Sequence, residues 1–183
     1  MTARKSISDR YHSGEKALTR GEYEKILSVI DSIEDELLLR MAVSTSLRRE
    51  DLHNIRIADI DLDNAKLTFY ESKKRRSRTI DIQPSVVQLI RKFLKTIPKR
   101  DKLFSFCGRT GYRHFHAWCV RAGILERPFH ALRATAIKFA QSAGWSPEQV
   151  SKLTGDTIVV IQQHYSTPSS QEMAEVAKNR PIA

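Results

Sequence analysis

The chain contains few cysteines, glycines and prolines, and it has no long apolar run. Its two cysteines, Cys107 and Cys119, form no CxxC pair, so neither a disulfide framework nor a zinc cluster is predicted. We therefore expect a reducing cytoplasm as its location. The first residues carry charge without a following apolar stretch, which argues against a signal peptide, and no segment approaches the roughly 18 apolar residues of a membrane span.

The chain contains more basic than acidic residues. Its 31 Lys and Arg outnumber its 21 Asp and Glu, giving a formal net charge of +10. Such an excess is typical of a protein with a polyanionic partner, most often nucleic acid, although ordinary solubility charge is the alternative. The length of 183 residues, with 40% hydrophobic content, fits one globular domain with its own core.

The apolar periodicity predicts a mostly helical domain with a small antiparallel sheet. Residues 1–17 lack periodicity and are expected to be a flexible basic arm or a linker remnant, with 18–183 as the folded domain. A capping box at Thr19 and the serine at position 32 predict the first two helix starts. Further helices are expected at 49–54, 84–94, 112–122, 128–143, 147 onward, 157–165 and 170–178, and strands near 57–62, 66–70 and 78–82.

A set of reactive side chains occurs in short boxes along the chain. Arg48 lies in TSLRREDL, Lys73 in ESKKRRS, His130 and Arg133 in HALRAT, and Tyr165 in HYS. One Tyr, two Arg, one His and one Lys are the groups that breaking a phosphodiester with a protein hydroxyl requires when no metal takes part. Each residue alone has a structural alternative, such as a core tyrosine or a helix-capping arginine.

In their order and spacing, these boxes resemble the catalytic domain of the tyrosine recombinase, or phage-type integrase, family. The family pattern is an Arg in T-G-L-R-x-x-E-L, a hairpin Lys, H-x-L-R-x-T, L-G-H and a Tyr, and the likeness runs from about Thr19 to Tyr165. It implies an α+β, mostly helical fold with a small antiparallel β-sheet at one edge. It also implies a site-specific DNA recombinase that acts through a 3′-phosphotyrosyl intermediate, without metal or cofactor. The family's N-terminal core-binding domain is expected to be absent.

The resemblance implies a role for each residue. Tyr165 is the expected nucleophile, while Arg48 and Arg133 clamp the non-bridging phosphate oxygens. His130 donates to the phosphate or relays the nucleophile's proton, and Lys73 protonates the leaving 5′ oxygen. Lys74 competes with Lys73 for that role. The other hairpin cations are expected to contact DNA phosphates: Lys74, Arg75, Arg76 and Arg78.

Asp156, in the box TGD, departs from the family pattern. The family usually places His or Trp there, as a hydrogen-bond donor to the phosphate, whereas an ionised Asp donates nothing and repels the anion. Three explanations are open: the carboxylate orients His130 or Arg133, it is protonated, or the site is impaired. The first is favoured, and His164 is an alternative source of a donor.

The resemblance also sets expectations for partners and origin. We expect double-stranded DNA as the partner, a monomer in isolation, a homotetramer on paired DNA sites and no membrane contact. A virus or plasmid in a prokaryotic host is the favoured source, with the protein associated with the nucleoid. The alternatives are a type IB topoisomerase-like nicking-closing enzyme, a catalytically impaired recombinase-derived DNA-binding protein, and an RNA-binding domain, for which recognition aromatics are missing.

Overall fold

In the computed structural model, residues 13–165 are described, together with residues 177 and 178. The described residues form eight α-helices and three short strands. The helices are α1 (Arg20–Val29), α2 (Ile33–Thr45), α3 (Arg49–His53), α4 (Pro84–Leu94), α5 (Gly108–Arg121), α6 (His130–Ser142), α7 (Pro147–Thr154) and α8 (Ile158–Tyr165). The strands are β1 (Ile60–Asp61), β2 (Lys66–Glu71) and β3 (Arg76–Asp81). The predicted fold class is confirmed, and none of the described helices is long and apolar enough to cross a membrane.

Local capping determines where the first helices begin. The Thr19 hydroxyl accepts from the backbone N–H of Glu22, and the Glu22 carboxylate accepts from the Thr19 N–H, which completes the predicted capping box. Ser32 accepts from the N–H groups of Glu34 and Asp35 at the start of α2. Both predicted helix starts are therefore confirmed.

Helix α6 lies between two apolar clusters and so occupies the centre of the fold. Leu132 belongs to the larger cluster, with the buried side chains of α2 and the sheet. Ile137 belongs to a smaller cluster, whose other members come from α6, α7 and α8: Ala134, Ala140, Val150, Ile161 and Tyr165. Because α6 is fixed on both sides, the residues of its first turn have a rigid base.

The three strands form one antiparallel sheet in the order β1-β2-β3. Glu71 pairs with Arg76 in the register of β2 and β3, so residues 72–75 form the turn of the hairpin. Side chains alternate across β2, and its inward positions are Leu67, Phe69 and Glu71. Glu71, the last inward-facing residue of β2, thus places a carboxylate on an otherwise apolar strand face.

Three segments differ from the sequence predictions. The strand predicted near 57–62 is a 3₁₀ turn at Ile57–Asp59 followed by the two-residue strand β1. Helix α5 begins at Gly108 rather than near Tyr112, and Gly111 lies within the helix, facing His53. A Cβ at position 111 would lie 2.2 Å from Nε2 of His53, so glycine is needed there for close approach. Strand β3 begins at Arg76, two residues before the predicted start.

The end of the predicted flexible arm is also packed. Ser13–Lys16 forms a 3₁₀ turn against α6 and α8, and the buried Leu18 donates its N–H to Thr135 Oγ1 at 2.8 Å. The structure therefore differs from the prediction of a flexible segment at these positions, whereas residues 1–12 lie outside the described residues. The predicted helix 170–178 also lies outside them, except for its last two positions.

Candidate active site

Arg133 lies in the first turn of α6 and is buried. Its Nη1 donates to the carbonyl of Ser46, and its Nη2 donates to the carbonyl of Thr154 at 3.0 Å. The same Nη2 lies 2.5 Å from Oδ2 of Asp156. Two backbone carbonyls from different helix ends therefore fix this guanidinium independently of the carboxylate.

Ser46 places its carbonyl near Arg133 through an unusual backbone conformation. It ends α2 with φ 57°, in the left-handed region, and its side chain is fully buried. The family box has glycine at this position, and glycine adopts that conformation without a Cβ penalty. The backbone geometry thus gives a physical reason for the glycine in the T-G-L-R pattern.

Arg48 precedes α3 and lies between two carboxylates. Its Nη1 lies 2.6 Å from Oε1 of Glu71, and its Nη2 lies 3.1 Å from Oδ1 of Asp156. Because Arg133 contacts the other oxygen of Asp156, the two arginines converge on one carboxylate. The structure thus brings together two side chains that are far apart in the sequence.

Asp156 is largely shielded from solvent, yet its surroundings favour the ionised carboxylate. Burial alone would raise the pKa of its carboxyl, but the charges of Arg133, Arg48 and Lys74 outweigh this effect and hold the pKa below its ordinary value. The Nζ of Lys74 lies 3.6 Å from Oδ1 and also donates to the carbonyl of Gly155. Of the explanations for this residue, protonation is disfavoured.

Tyr165 and His130 form the second half of the site. Tyr165 ends α8 with its side chain buried, and its phenolic oxygen lies 3.3 Å from Nε2 of His130. His130 begins α6, so its side chain lies one turn before Arg133. Burial lowers the pKa of His130, and the charges of Arg133, Lys16 and Arg48 lower it further. A neutral imidazole can accept the phenolic proton at Nε2.

Sequence reasoning missed Glu71, which is 1% exposed at the end of β2. Burial would raise the pKa of its carboxyl, but hydrogen bonds from Arg48 and Arg76 and the charges of Arg78 and Lys74 hold the pKa below its ordinary value. The alternation of Leu67, Phe69 and Glu71 along the strand was the available signal, because it predicts a carboxylate on the buried face.

The hairpin cations fall into different environments. Lys73 is exposed and makes no hydrogen bond or ion pair within the part of the chain that the structure describes. Lys74 reaches Asp156, and Arg76 donates from Nε to Oε2 of Glu71 at 3.2 Å. Arg75 is exposed at the turn, with φ 50°. The structure therefore brings Lys74 to the carboxylate between the arginines and leaves Lys73 outside.

The sequence predicts that Arg78 contacts DNA phosphates, but in the structure its side chain is largely shielded from solvent. Its side chain is only 12% exposed, and its Nη2 donates to the carbonyls of Lys152 at 2.6 Å and Leu153 at 3.2 Å. Gly155 permits this arrangement, because a Cβ there would lie 2.5 Å from Nη1 of Arg78. This arginine joins the hairpin to the end of α7 instead of facing outward.

Comparison with known proteins identifies the family to which this fold and this set of residues belong. The chain belongs to the phage integrase family, whose family model matches residues 16–172. It is 29% identical over 151 residues to the tyrosine recombinase XerA of Saccharolobus solfataricus, covering 82% of this chain. It is 33% identical over 177 residues to XerA of Pyrococcus horikoshii, covering 91% of this chain. The chain spans 52% and 62% of the lengths of these two relatives.

Solved structures share the fold. A crystal structure of XerA recombinase superposes with a TM-score of 0.78 at 19% identity, covering 91% of this chain and 66% of that one. A lambda integrase dimer bound to a COC' core site superposes with a TM-score of 0.64 at 20% identity, covering 76% of this chain and 56% of that one. The fold is therefore that of the tyrosine recombinase catalytic domain.

Proposed function

We propose that this chain is the catalytic domain of a site-specific DNA recombinase that forms a 3′-phosphotyrosyl intermediate on Tyr165. The observation that carries the proposal is the 3.3 Å approach of the Tyr165 phenol to Nε2 of His130, one helical turn from Arg133. A nucleophile beside a neutral base and anchored guanidinium groups is the arrangement that phosphoryl transfer to a protein hydroxyl requires. Membership of the phage integrase family supports the same reading.

In the proposed cleavage step, the phenolic oxygen of Tyr165 attacks the scissile phosphorus. His130 accepts the phenolic proton, and the bond from phosphorus to the 5′ oxygen breaks. Arg48 and Arg133 contact the non-bridging oxygens, where negative charge accumulates. A preorganised donor of this kind is worth about 3–4 kcal/mol of barrier lowering. The tyrosyl ester retains the energy of the phosphodiester, so a 5′ hydroxyl can reverse the reaction without ATP.

We assign Asp156 the role of orienting the two arginines before DNA binds. Its two oxygens contact Arg133 at 2.5 Å and Arg48 at 3.1 Å, so it occupies the position where a phosphate would be held between them. Arg133 stays anchored by the carbonyls of Ser46 and Thr154 when the carboxylate is displaced. The scissile phosphate then exchanges with the carboxylate on guanidinium groups that are already in place.

A hairpin lysine is the proposed general acid for the leaving 5′ oxygen. Lys73 is the candidate that the family pattern indicates, and its exposed ammonium is available to DNA. The ammonium of Lys74 lies 3.6 Å from Asp156, the carboxylate that contacts both arginines. Binding of DNA in place of the Asp156 carboxylate would release Lys74 as well, so the two lysines require a direct test.

The proposed partner is double-stranded DNA, bound by a monomer that assembles into a homotetramer on paired sites. The net charge of +10 and the cationic hairpin support this partner, and the similar XerH structure is described as bound to difH substrate. Affinity should fall steeply with added salt, because phosphate contacts release counterions. A virus or plasmid is the proposed source, in keeping with a relative from Acholeplasma phage L2 that is 26% identical over 96 residues.

The test uses DNA from the protein's own locus, nicked close to candidate sites so that the short leaving strand diffuses away and cleavage is trapped. The proposal predicts an SDS-resistant protein–DNA adduct that Tyr165→Phe abolishes. Tyr70→Phe is the matched control, because Tyr70 is an exposed tyrosine on β2, and it should form the adduct at the wild-type rate. An adduct that persists in Tyr165→Phe would contradict the assignment.

A catalytically impaired DNA-binding protein is the second candidate. The observation that favours it is the carboxylate of Asp156 between the two arginines, where the family places a donor. Salt-sensitive DNA binding without any adduct would support it. A topoisomerase-like activity would instead give the adduct and relaxation of supercoiled DNA, with no strand exchange between two sites.

A further inference from the structure

Glu71 is a buried carboxylate surrounded by three guanidinium groups. Its Oε1 lies 2.6 Å from Arg48, while its Oε2 lies 3.2 Å from Arg76 and 3.9 Å from Arg78. The residue is 1% exposed and stands on the strand face that otherwise carries Leu67 and Phe69. A buried charge is retained in such a position only when it is paired and hydrogen-bonded, and here both oxygens are.

We propose that Glu71 is a positioning residue for the strand-transfer reaction, holding Arg48 in the orientation that binds the scissile phosphate. This inference rests on the proposed function and names a residue that acts through Arg48 rather than on DNA itself. Oε1 of Glu71 accepts a hydrogen bond from Nη1 of Arg48 at 2.6 Å. Nη2 of Arg48, which lies 3.1 Å from Asp156, is then directed toward the phosphate position. A phosphate that displaces Asp156 therefore meets an arginine that is still fixed.

The need for Glu71 follows from a difference between the two arginines. Arg133 is anchored by two backbone carbonyls, whereas among the described residues the Arg48 side chain donates only to the carboxylates of Glu71 and Asp156. When Asp156 yields to phosphate, Glu71 is the remaining anchor of Arg48. A guanidinium held at one edge presents its other edge in a defined direction, which a freely rotating side chain does not.

Glu71 also joins Arg48 to the hairpin that carries the candidate general acids. It pairs in register with Arg76 across β2 and β3, and it directly precedes Ser72. The N–H of Ser72 donates to Oδ1 of the buried Asp51 at 3.1 Å, which holds the entry to the turn on α3. Glu71 and α3 therefore join Arg48 to the turn containing Lys73.

The test compares Glu71→Gln, Glu71→Asp and a control, Asp81→Asn, in nicked-DNA cleavage and in DNA binding. Asp81 is an exposed carboxylate on β3, paired with Lys66, so the control loses one negative charge from the same hairpin. Glu71→Gln should cleave at least roughly tenfold more slowly at saturating protein, because small misplacements of a positioning group cost up to about a hundredfold. Its DNA affinity should stay equal or rise, since a negative charge is lost. Glu71→Asp keeps the charge on a shorter side chain and should recover part of the rate.

Chemical modification of arginine by phenylglyoxal, mapped by peptide mass spectrometry without DNA, provides a readout that is independent of cleavage. The Arg48 side chain is 24% exposed, and both of its Nη atoms contact carboxylates. The side chain of neighbouring Arg49 is 42% exposed. Loss of Glu71 should accelerate modification of Arg48 severalfold and leave Arg49 unchanged. Circular dichroism identifies any variant that has not folded. If Glu71→Gln does not fold, Glu71→Asp should still cleave more slowly than the wild type and show faster modification of Arg48.

The outcomes separate this inference from the function on which it rests. If the wild type forms the adduct and Glu71→Gln forms it equally fast, the positioning role is overturned while the proposed function stands. The same holds if the rate of Arg48 modification is unchanged in Glu71→Gln. Slow cleavage together with weakened DNA binding also overturns it, because general damage to the fold lowers both. A wild-type protein that forms no adduct contradicts the proposed function and the catalytic consequence, while faster modification of Arg48 would still support its fixation by Glu71.

Discussion

Oδ2 of Asp156 lies 2.5 Å from Nη2 of Arg133, so an anionic side chain faces an arginine that the proposed reaction assigns to phosphate. The other oxygen of the carboxylate lies 3.1 Å from Nη2 of Arg48. Asp156 thereby offsets part of the positive charge of the two arginines. DNA must compete with this carboxylate, which gives the unusual residue at position 156 a measurable consequence.

Substitution of Asp156 tests this competition. If the carboxylate only orients the arginines, Asp156→His should retain or raise the rate of adduct formation, because it removes an anion from the phosphate position and supplies a donor. Glu148→Gln, which removes an exposed carboxylate on α7, controls for the change in net charge. A loss of cleavage by more than about tenfold (about 1.4 kcal/mol) in Asp156→His alone would show that the carboxylate itself is needed.

The general acid can be identified with a modified substrate. A sulfur atom in place of the bridging 5′ oxygen leaves without protonation, so it restores cleavage to a variant that lacks only the general acid. We expect Lys73→Ala to be slow on normal DNA and near the wild-type rate on the sulfur substrate. Lys74→Ala is the matched variant, and rescue of Lys74→Ala instead would transfer the role to the lysine that lies beside Asp156.

The pH dependence of cleavage should reflect the environment of His130. Burial and neighbouring cations lower its pKa from the ordinary 6.5, so the neutral, proton-accepting form persists below that pH. Cleavage should therefore stay constant from pH 8 through 6.5 and decline only in more acidic solution. A decline centred above pH 6.5 that is absent from His130→Gln would contradict this assignment.

Folding must be followed over the same pH range. The pKa of His53 is also lowered by burial. Unfolded histidines take up protons near pH 6.5 while the folded ones resist, so the free energy of unfolding falls as the pH drops below that value. Circular dichroism at each pH separates this loss of structure from titration of the catalytic group.

Ser46 offers a test of backbone strain at the site. Its φ of 57° favours glycine, and its buried hydroxyl has no hydrogen-bond partner among the described residues. Ser46→Gly should therefore stabilise the protein by about 0.5–1 kcal/mol, measured by denaturant unfolding. Ser46→Ala removes the hydroxyl but keeps the Cβ, and it should gain less. Destabilisation by Ser46→Ala, which removes only the hydroxyl, would show that the hydroxyl has a structural role.

Local signals made much of the fold predictable. The helix starts at Thr19, Ser32 and Ser146 follow from side chains that cap the adjacent turn, so they can be read within a few residues. The start of α5 at Gly108 was not predicted, and Gly111 within that helix lies against His53, which is distant in the sequence. Long-range contacts of this kind leave no local pattern.

Less of the candidate site than of the fold could be predicted from the sequence. The family boxes indicated Arg48, Arg133 and Tyr165, but they did not reveal that one carboxylate joins both arginines. The burial of Arg78 depends on carbonyls at the end of α7, and the position of Lys74 depends on the path of the turn. Side-chain direction in a cationic run is determined by tertiary packing, which charge pattern alone does not encode.

The most direct test of the central claim is to locate the DNA bond on the protein. The trapped adduct would be digested with nuclease and trypsin, and the peptide carrying the residual nucleotide would be sequenced by mass spectrometry. We predict a nucleotide joined through its 3′ phosphate to the side-chain oxygen of Tyr165. A nucleotide on any other residue, or one joined through its 5′ phosphate, would contradict the proposed mechanism.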